Sequence, residues 1–310
     1  MFRRIGQPLA AAAAVATGAA AVTYYSHGLM QAAASPISSP PPPGLELLRN
    51  SAKATHYVVC SPTFYPNLQD VRLQLGLDAC RQAKNHGVPL LLIDASPPDV
   101  KAALLEAGAT AVIPQTFKGR KGAALRECIH VARSVLDDDG VIAFQELEKV
   151  DMIAQQRSVA QELWRSGLDV IVPKRADDAF KATYPIEQYH QEKFANLYLD
   201  SLGVAAGLPD GIDWTMGPVA LRATMAKHWL NDDGELWDAQ IVPYVRAARW
   251  HGAKVGSIEL EYHHPPSMKA EEEGVAVWGE KRLMQLNFLF KYIAGAIKAP
   301  TEDWRPDPKK

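Results

Sequence analysis

Three segments between residues 88 and 151 decide the fold: VPLLLIDAS (88–96), KGRKGAALREC (118–128) and VIAFQELEKVD (141–151). The first is an apolar strand ending in Asp94, the second a basic glycine loop opening a helix. The third is an apolar strand ending near two carboxylates, Glu146 and Glu148. In that order they suit a nucleotide contact, a phosphate contact and a metal contact. Asp94 can accept two hydrogen bonds from a base or ribose, although taken alone a helix cap or Asx turn before Pro97-Pro98 is the commoner use. Lys118, Gly119, Arg120, Lys121 and Gly122 bring three cations and two glycines to a helix N-terminus, where backbone amides and the helix dipole favour a diphosphate. A solvated basic loop is the plain alternative; neither GxxxxGK[ST] nor GxGxxG occurs. Glu146 and Glu148 lie two apart at a strand end and so point the same way, as oxygen ligands for a hard cation must. An acidic first turn of the next helix is the competing reading.

Outward from these segments the pattern alternates short apolar strands with helical stretches. Strands are expected over 57–61, 89–94, 110–114, 141–144 and 170–173. Helices are expected over 70–86, with Leu73, Leu77, Cys80 and Ala83 on one face, and over 98–107, 122–136 and 151–166. Repeated units of this length give an α/β fold with a mostly parallel sheet and helices on both faces. Ligands of such sheets bind at the carboxyl ends of the strands, where Ser61, Asp94, Glu146 and Glu148 fall.

The 310 residues are 47% hydrophobic and 22% charged with a formal net charge of −2, enough for a large core and without a field that favours nucleic acid. Cys60, Cys80 and Cys128 are far apart, which argues against a disulfide framework or a zinc site. Arg3 and Arg4 lead an alanine-rich run over residues 8–25, and no acidic residue precedes Glu46. That start fits a membrane-associated single-pass anchor, a cleaved signal or a mitochondrial-type presequence. The expected organisation is a targeting or anchor segment (1–30), a proline-rich linker (31–50), a catalytic domain (51–298, its halves meeting near 175) and a disordered tail (299–310).

IDASPPDVKAALLEAGATAVIPQ (93–115) with KGRKGAALREC resembles the nucleotide-binding half of family-2-type GT-A-fold glycosyltransferases. Those enzymes carry a strand ending in Asp, a Ser-x-x-Asp turn and a GKGxAxR loop-helix; here the places are held by Asp94, Ser96 and Asp99, then Lys121, Gly122, Ala123 and Arg126. The resemblance implies nucleotide contacts at Asp94 and around Pro62-Thr63, with Ser61 before them, and Lys121 and Arg126 near the diphosphate. The family's Asp-x-Asp metal motif would fall at Glu146-Leu147-Glu148, and ELEKVD is similar to the ExEK segment of mannosylglycerate and glucosylglycerate synthase relatives. Glu in place of Asp is a departure that bears on metal binding. Downstream, Gly217 to Arg222 resembles a Gly-x-x-x-x-Arg acceptor-side segment. His263-His264 stands where many GT-A enzymes supply a third metal ligand, although adjacent strand residues face opposite ways.

The function so implied is transfer of a sugar from a nucleoside-diphosphate sugar to a hydroxyl acceptor, a small molecule or a lipid or glycan. Mg²⁺ or Mn²⁺ would be held by Glu146, Glu148 and His264, and Lys121 would stabilise the leaving diphosphate. Asp238 is the candidate general base, with Asp213 and Asp233 behind it, though a solvated acidic turn explains any one of them. Trp214, Trp229 and Trp237 suit a stacking site or a core equally. The helical spacing of Leu283, Leu286, Leu289, Phe290 and Ile293 suits a helix packed over the core or a homodimer partner. Two other classes stay open: a sugar nucleotidyltransferase, against which Ser61 to Pro66 replaces the expected glycine-rich loop, and a catalytically degenerate nucleotide-binding module.

Overall fold

The computed structural model describes residues 44–298. A helix, α1 (Leu45–Thr55), precedes the sheet and takes in residues 45–50, which the sequence assigned to the linker. The first half then runs β1 (Tyr57–Thr63), α2 (Val71–His86), β2 (Leu90–Asp94), α3 (Pro98–Ala107), β3 (Ala111–Pro114), α4 (Lys121–Ser134) and β4 (Val141–Phe144). The second half runs α5 (Val150–Ile153), α6 (Gln156–Ser166), β5 (Val170–Arg175), α7 (Asp177–Thr183), α8 (Ile186–Ala205), β6 (Val219–Arg222), α9 (Ala226–Leu230), α10 (Asp238–His251), β7 (Val255–Leu260), α11 (Pro266–Glu272) and α12 (Ala276–Lys298).

The strands form one seven-stranded sheet in the order β3-β2-β1-β4-β6-β5-β7. Every pairing is parallel except those of β6, which runs against both β4 and β5. Period-two alternation divides the core. Val58, Cys60, Leu91 and Ile93 face one layer with Leu125, Ile129, Val242, Val245, Leu289 and Ile293. Val59, Leu90, Leu92 and Val141 face the other, with Leu73, Cys80, Leu104, Val159 and Leu163. All five residues of β2 are buried, so its apolar side chains contribute about 1.5–3 kcal/mol each. Trp214 and Trp229 are each 1% exposed and belong to the core.

From β1 the chain steps outward to β2 and β3, then returns to the other side of β1 as β4. The crevice outside the carboxyl ends of β1 and β4 is therefore the topological switch point, where open α/β sheets take ligands. Helix α12 packs on α8 and α10. Among the described residues no helix is long and apolar enough to cross a membrane, which corrects the expected single-pass anchor. Residues 8–25, where anchor or presequence was placed, lie outside the described residues, as does the tail at 299–310.

Candidate functional site

Two loops meet where β1 and β2 end. Asp94 is fully buried, and its carboxylate accepts from the Thr63 hydroxyl (2.6 Å), the Ser96 hydroxyl (2.8 Å) and the Ser96 amide (2.8 Å). The Ser96 hydroxyl oxygen accepts from the Tyr65 amide at 2.9 Å. Asp94 thus ties the turn after β2 to the turn after β1 through three internal hydrogen bonds. The Asx-turn reading of this residue describes what the structure shows. Strand β1 continues two residues past the expected end: Ser61 is buried within it and Pro62 is half-buried beside Ile93.

The basic loop opens α4 as expected, with Lys121 as its first residue. The anion at this helix start, however, is the chain's own. Residues 232–237 fold over it, and Arg120 and Arg126 both donate to the Glu235 carboxylate at 2.6 Å. Arg126, 8% exposed along its side chain, also donates to the Gly234 carbonyl at 2.6 Å. The Gly122 amide donates to the Glu235 carbonyl at 3.3 Å. A Cβ on Gly122 would lie 1.9 Å from the Gly234 oxygen, so this position admits only glycine. The close approach read from the sequence as room for a diphosphate is made to the protein's own backbone, and Arg126 is a clamp on the 232–237 loop.

Past β4 the turn is fixed from below. The Gln145 side-chain Nε2 donates to the Lys149 carbonyl (3.2 Å), while its Oε1 accepts from the Gln156 side chain (2.6 Å). Glu146 emerges between two lysines, 3.1 Å from Lys149 Nζ and 3.7 Å from Lys121 Nζ. Burial pushes its carboxyl up, but Lys149 and Lys121 outweigh that and hold it down at about 2. Burial likewise opposes the Lys149 charge, and Glu146 more than restores it. Gly217, at φ +98°, lies against this carboxylate: a Cβ there would come within 3.0 Å of Glu146 Oε1. Glu148 turns instead to the Arg72 guanidinium at the start of α2, beside the buried Tyr65 hydroxyl. Lys281 of α12 also comes to this crevice. Burial lowers its ammonium and the charges of Arg282, Lys121 and Arg72 lower it further, against the opposing charge of Glu272.

The three residues expected to share a metal do not come together. His264 stacks on Tyr184 with ring centroids 4.3 Å apart, and its Nε2 lies 3.3 Å from Glu272. His263 pairs with Asp151 at 3.2 Å. Among the described residues no group of three or more His, Cys, Asp or Glu side chains is placed to hold a metal ion. Glu146 and Glu148 each already face a cation, so the donor set does not fit a shared divalent ion.

Asp238, the expected base, begins α10, is 3% exposed and accepts from the Leu236 amide at 3.0 Å. It shapes the loop entering that helix, as a carboxylate in a first turn commonly does. Asp213 is paired through both oxygens with Arg175, each contact 2.7 Å. Arg222 lies at the far edge of the sheet: because β6 is antiparallel, Arg222 sits opposite Val141 while Gly217 precedes the near end. There Arg222 donates to the Leu168 and Leu163 carbonyls. Sequence reasoning missed Arg72, which no local motif marks, and the buried Arg175–Asp213–Glu192 cluster.

No protein-family model matches the chain, and no curated protein matches it in sequence. Solved structures do match. Glucosyl-3-phosphoglycerate synthase from Mycobacterium tuberculosis, in complex with Mn²⁺, UDP-glucose and phosphoglyceric acid, is 13% identical, with 85% of this chain and 87% of that chain covered and a TM-score of 0.53. A second structure, described only as a mycobacterial protein, is 14% identical with 85% and 82% covered and a TM-score of 0.53. At these identities the likeness concerns the fold, a mostly parallel α/β sheet matching that of GT-A glycosyltransferases.

Proposed function

We propose that this chain is a glycosyltransferase that moves a sugar from a nucleoside-diphosphate sugar to an acceptor hydroxyl. The observation that carries the reading is the charged crevice at the switch point, where Lys121 and Lys149 flank Glu146 and Arg72 meets Glu148. The fold supports it, since the synthase that shares this fold holds Mn²⁺, UDP-glucose and phosphoglyceric acid in its structure. In the proposed reaction the bond from the anomeric carbon to the diphosphate oxygen breaks, one from the acceptor oxygen forms, and the acceptor proton passes to the departing diphosphate oxygen. Negative charge grows on the departing diphosphate, and Lys121 is positioned to stabilise it. Glu146, held ionised down to a pH of about 2, is too weak a base to take the acceptor proton. Its role is to hold Lys121 and Lys149 in place. Asp94 acts at one remove, fixing Thr63 and Ser96 at the rim where the nucleotide would lie. The carboxylates and His264 do not fit a metal ion, and no step is routed through one.

A second reading, a nucleotide-binding module without turnover, is favoured by the burial of Asp238 in its helix start and by the ion-paired state of both glutamates. Thermal melting of the full chain with nucleoside diphosphates and sugar nucleotides separates the outcomes. A rise in Tm with one base, lost in Lys121→Met, supports a nucleotide-sugar site. Slow release of free sugar from that donor, reduced about 100-fold or more by the same substitution, identifies the transferase over the module. No shift with any nucleotide refutes both.

A further inference from the structure

The crevice contains more positive than negative charge, and its cations come from four distant segments. Arg72 is on the first turn of α2, Lys121 starts α4, Lys149 follows β4, and Lys281 rides on α12. Arg72, Lys121 and Lys149 face two carboxylates, Glu146 and Glu148, and a third, Glu272, acts on Lys281. A divalent cation entering here would have to take Glu146 from two lysines and Glu148 from Arg72, and would remain beside Lys281. Each step sets like charges together in a half-buried place. A diphosphate meets the opposite condition, because among the described residues the four cations outnumber Glu146, Glu148 and Glu272. The Lys281 ammonium is depressed by burial first and then by Arg282, Lys121 and Arg72, against the opposing pull of Glu272, and a further anion would relieve it. Trp278 flanks Lys281, with Nζ 4.5 Å from the ring centroid, and limits where that side chain can reach.

We propose that Arg72, Lys121, Lys149 and Lys281 bind the donor diphosphate directly, so that nucleotide binding by this chain does not require a divalent metal ion. The inference rests on the reading of the crevice as a nucleotide-sugar site and departs from the Mn²⁺-containing neighbour in how the diphosphate charge is met. Lys281 is its most exposed commitment, because it belongs to a helix that no nucleotide-binding motif includes.

The test is calorimetric titration of the full-length protein with UDP and with GDP, each in EDTA and in MnCl₂. Affinity for the preferred nucleotide should agree within about threefold between the two conditions and should weaken as salt rises. Lys281→Gln should weaken it about tenfold in EDTA, as expected for loss of one charged contact, while Lys281→Arg should keep it. Retained binding by Lys281→Arg also controls for a folding defect in the glutamine variant. Binding that occurs only with Mn²⁺ overturns the inference and leaves the nucleotide-sugar reading standing. Equal affinity in Lys281→Gln and wild type removes α12 from the site and likewise overturns the four-cation cluster. Absence of binding in both conditions overturns the inference together with the reading beneath it.

Discussion

Arg175 ends β5 with its side chain 1% exposed and its guanidinium divided between two buried carboxylates, Asp213 and Glu192, at 2.7 Å each. The Phe180 ring covers it, 3.6 Å from the guanidinium carbon. Burial pushes both carboxyls up, but Arg175 outweighs it and holds both below their ordinary values. Breaking a buried pair from one side is expensive because the surviving charges lose their counterion. Arg175→Met should therefore lower the urea-unfolding free energy by about 3–5 kcal/mol at neutral pH. Groups with depressed pKa values stabilise above their unfolded pKa, and that stabilisation is lost as pH falls through the folded one. The deficit should thus narrow below about pH 4 as the wild type loses the same interaction. A deficit unchanged between pH 7 and pH 3 would show that the pairing does not carry the effect. No motif marks Arg175, since its partners lie 17 and 38 residues away and only the tertiary fold brings them together.

At the scale of elements, α4 and the 232–237 loop are a single unit. Gly122 lets the Gly234 backbone approach, and Arg120 and Arg126 clamp Glu235 over it. Gly122→Ala puts a Cβ 1.9 Å from a carbonyl oxygen, so loop and helix must separate. The expected result is a loss of about 1–3 kcal/mol and faster hydrogen exchange over residues 231–237, with β1 to β3 unaffected. Uniform exchange across the sheet would contradict the local coupling. The same region shows what the sequence could convey. Apolar strands ending near Asp94 and Phe144, and helices stopping at Gly87, Gly108 and Gly167, were legible because period and punctuation are local properties. The direction of β6 was not, since alternation reads the same both ways, and it is this direction that carries Arg222 away from the end of the sheet where Gly217 lies. A glycine that admits a ligand and one that admits a neighbouring loop are also identical in sequence, which is why Gly122 was read as a phosphate cradle. Lys121 beside Glu146 could be anticipated because each lies in a strand-to-helix connection at the same edge of the sheet. Arg72 and Lys281 could not, because helix packing delivers them.

Across the whole molecule, α12 completes the core. Leu289, Ile293 and Ala296 are fully buried, and the Ala296 carbonyl accepts from the Trp250 indole at 2.8 Å. This helix was expected either over the core or at a dimer contact, and it packs over the core. A chain stopped at residue 275 leaves the facing side chains of α8 and α10 open, at about 1.5–3 kcal/mol for each large one. It should retain helical far-ultraviolet signal yet bind ANS and melt without a sharp transition; a cooperative melt near the full-length Tm would refute a core role for α12. The antiparallel strand carries a further consequence, for the order in which the protein can be built. Once residue 144 has left the ribosome, β3, β2, β1 and β4 have one another, an unbroken run of parallel neighbours. Strand β5 emerges next with no partner at all, because its two neighbours, β6 and β7, are translated about 50 and 80 residues later. During that interval β4 and β5 both present bare edges, and β6 must enter between them to close the gap. The nascent chain is expected to be most open to mispairing there, and in refolding followed by hydrogen exchange β5 to β7 should gain protection more slowly than β1 to β4.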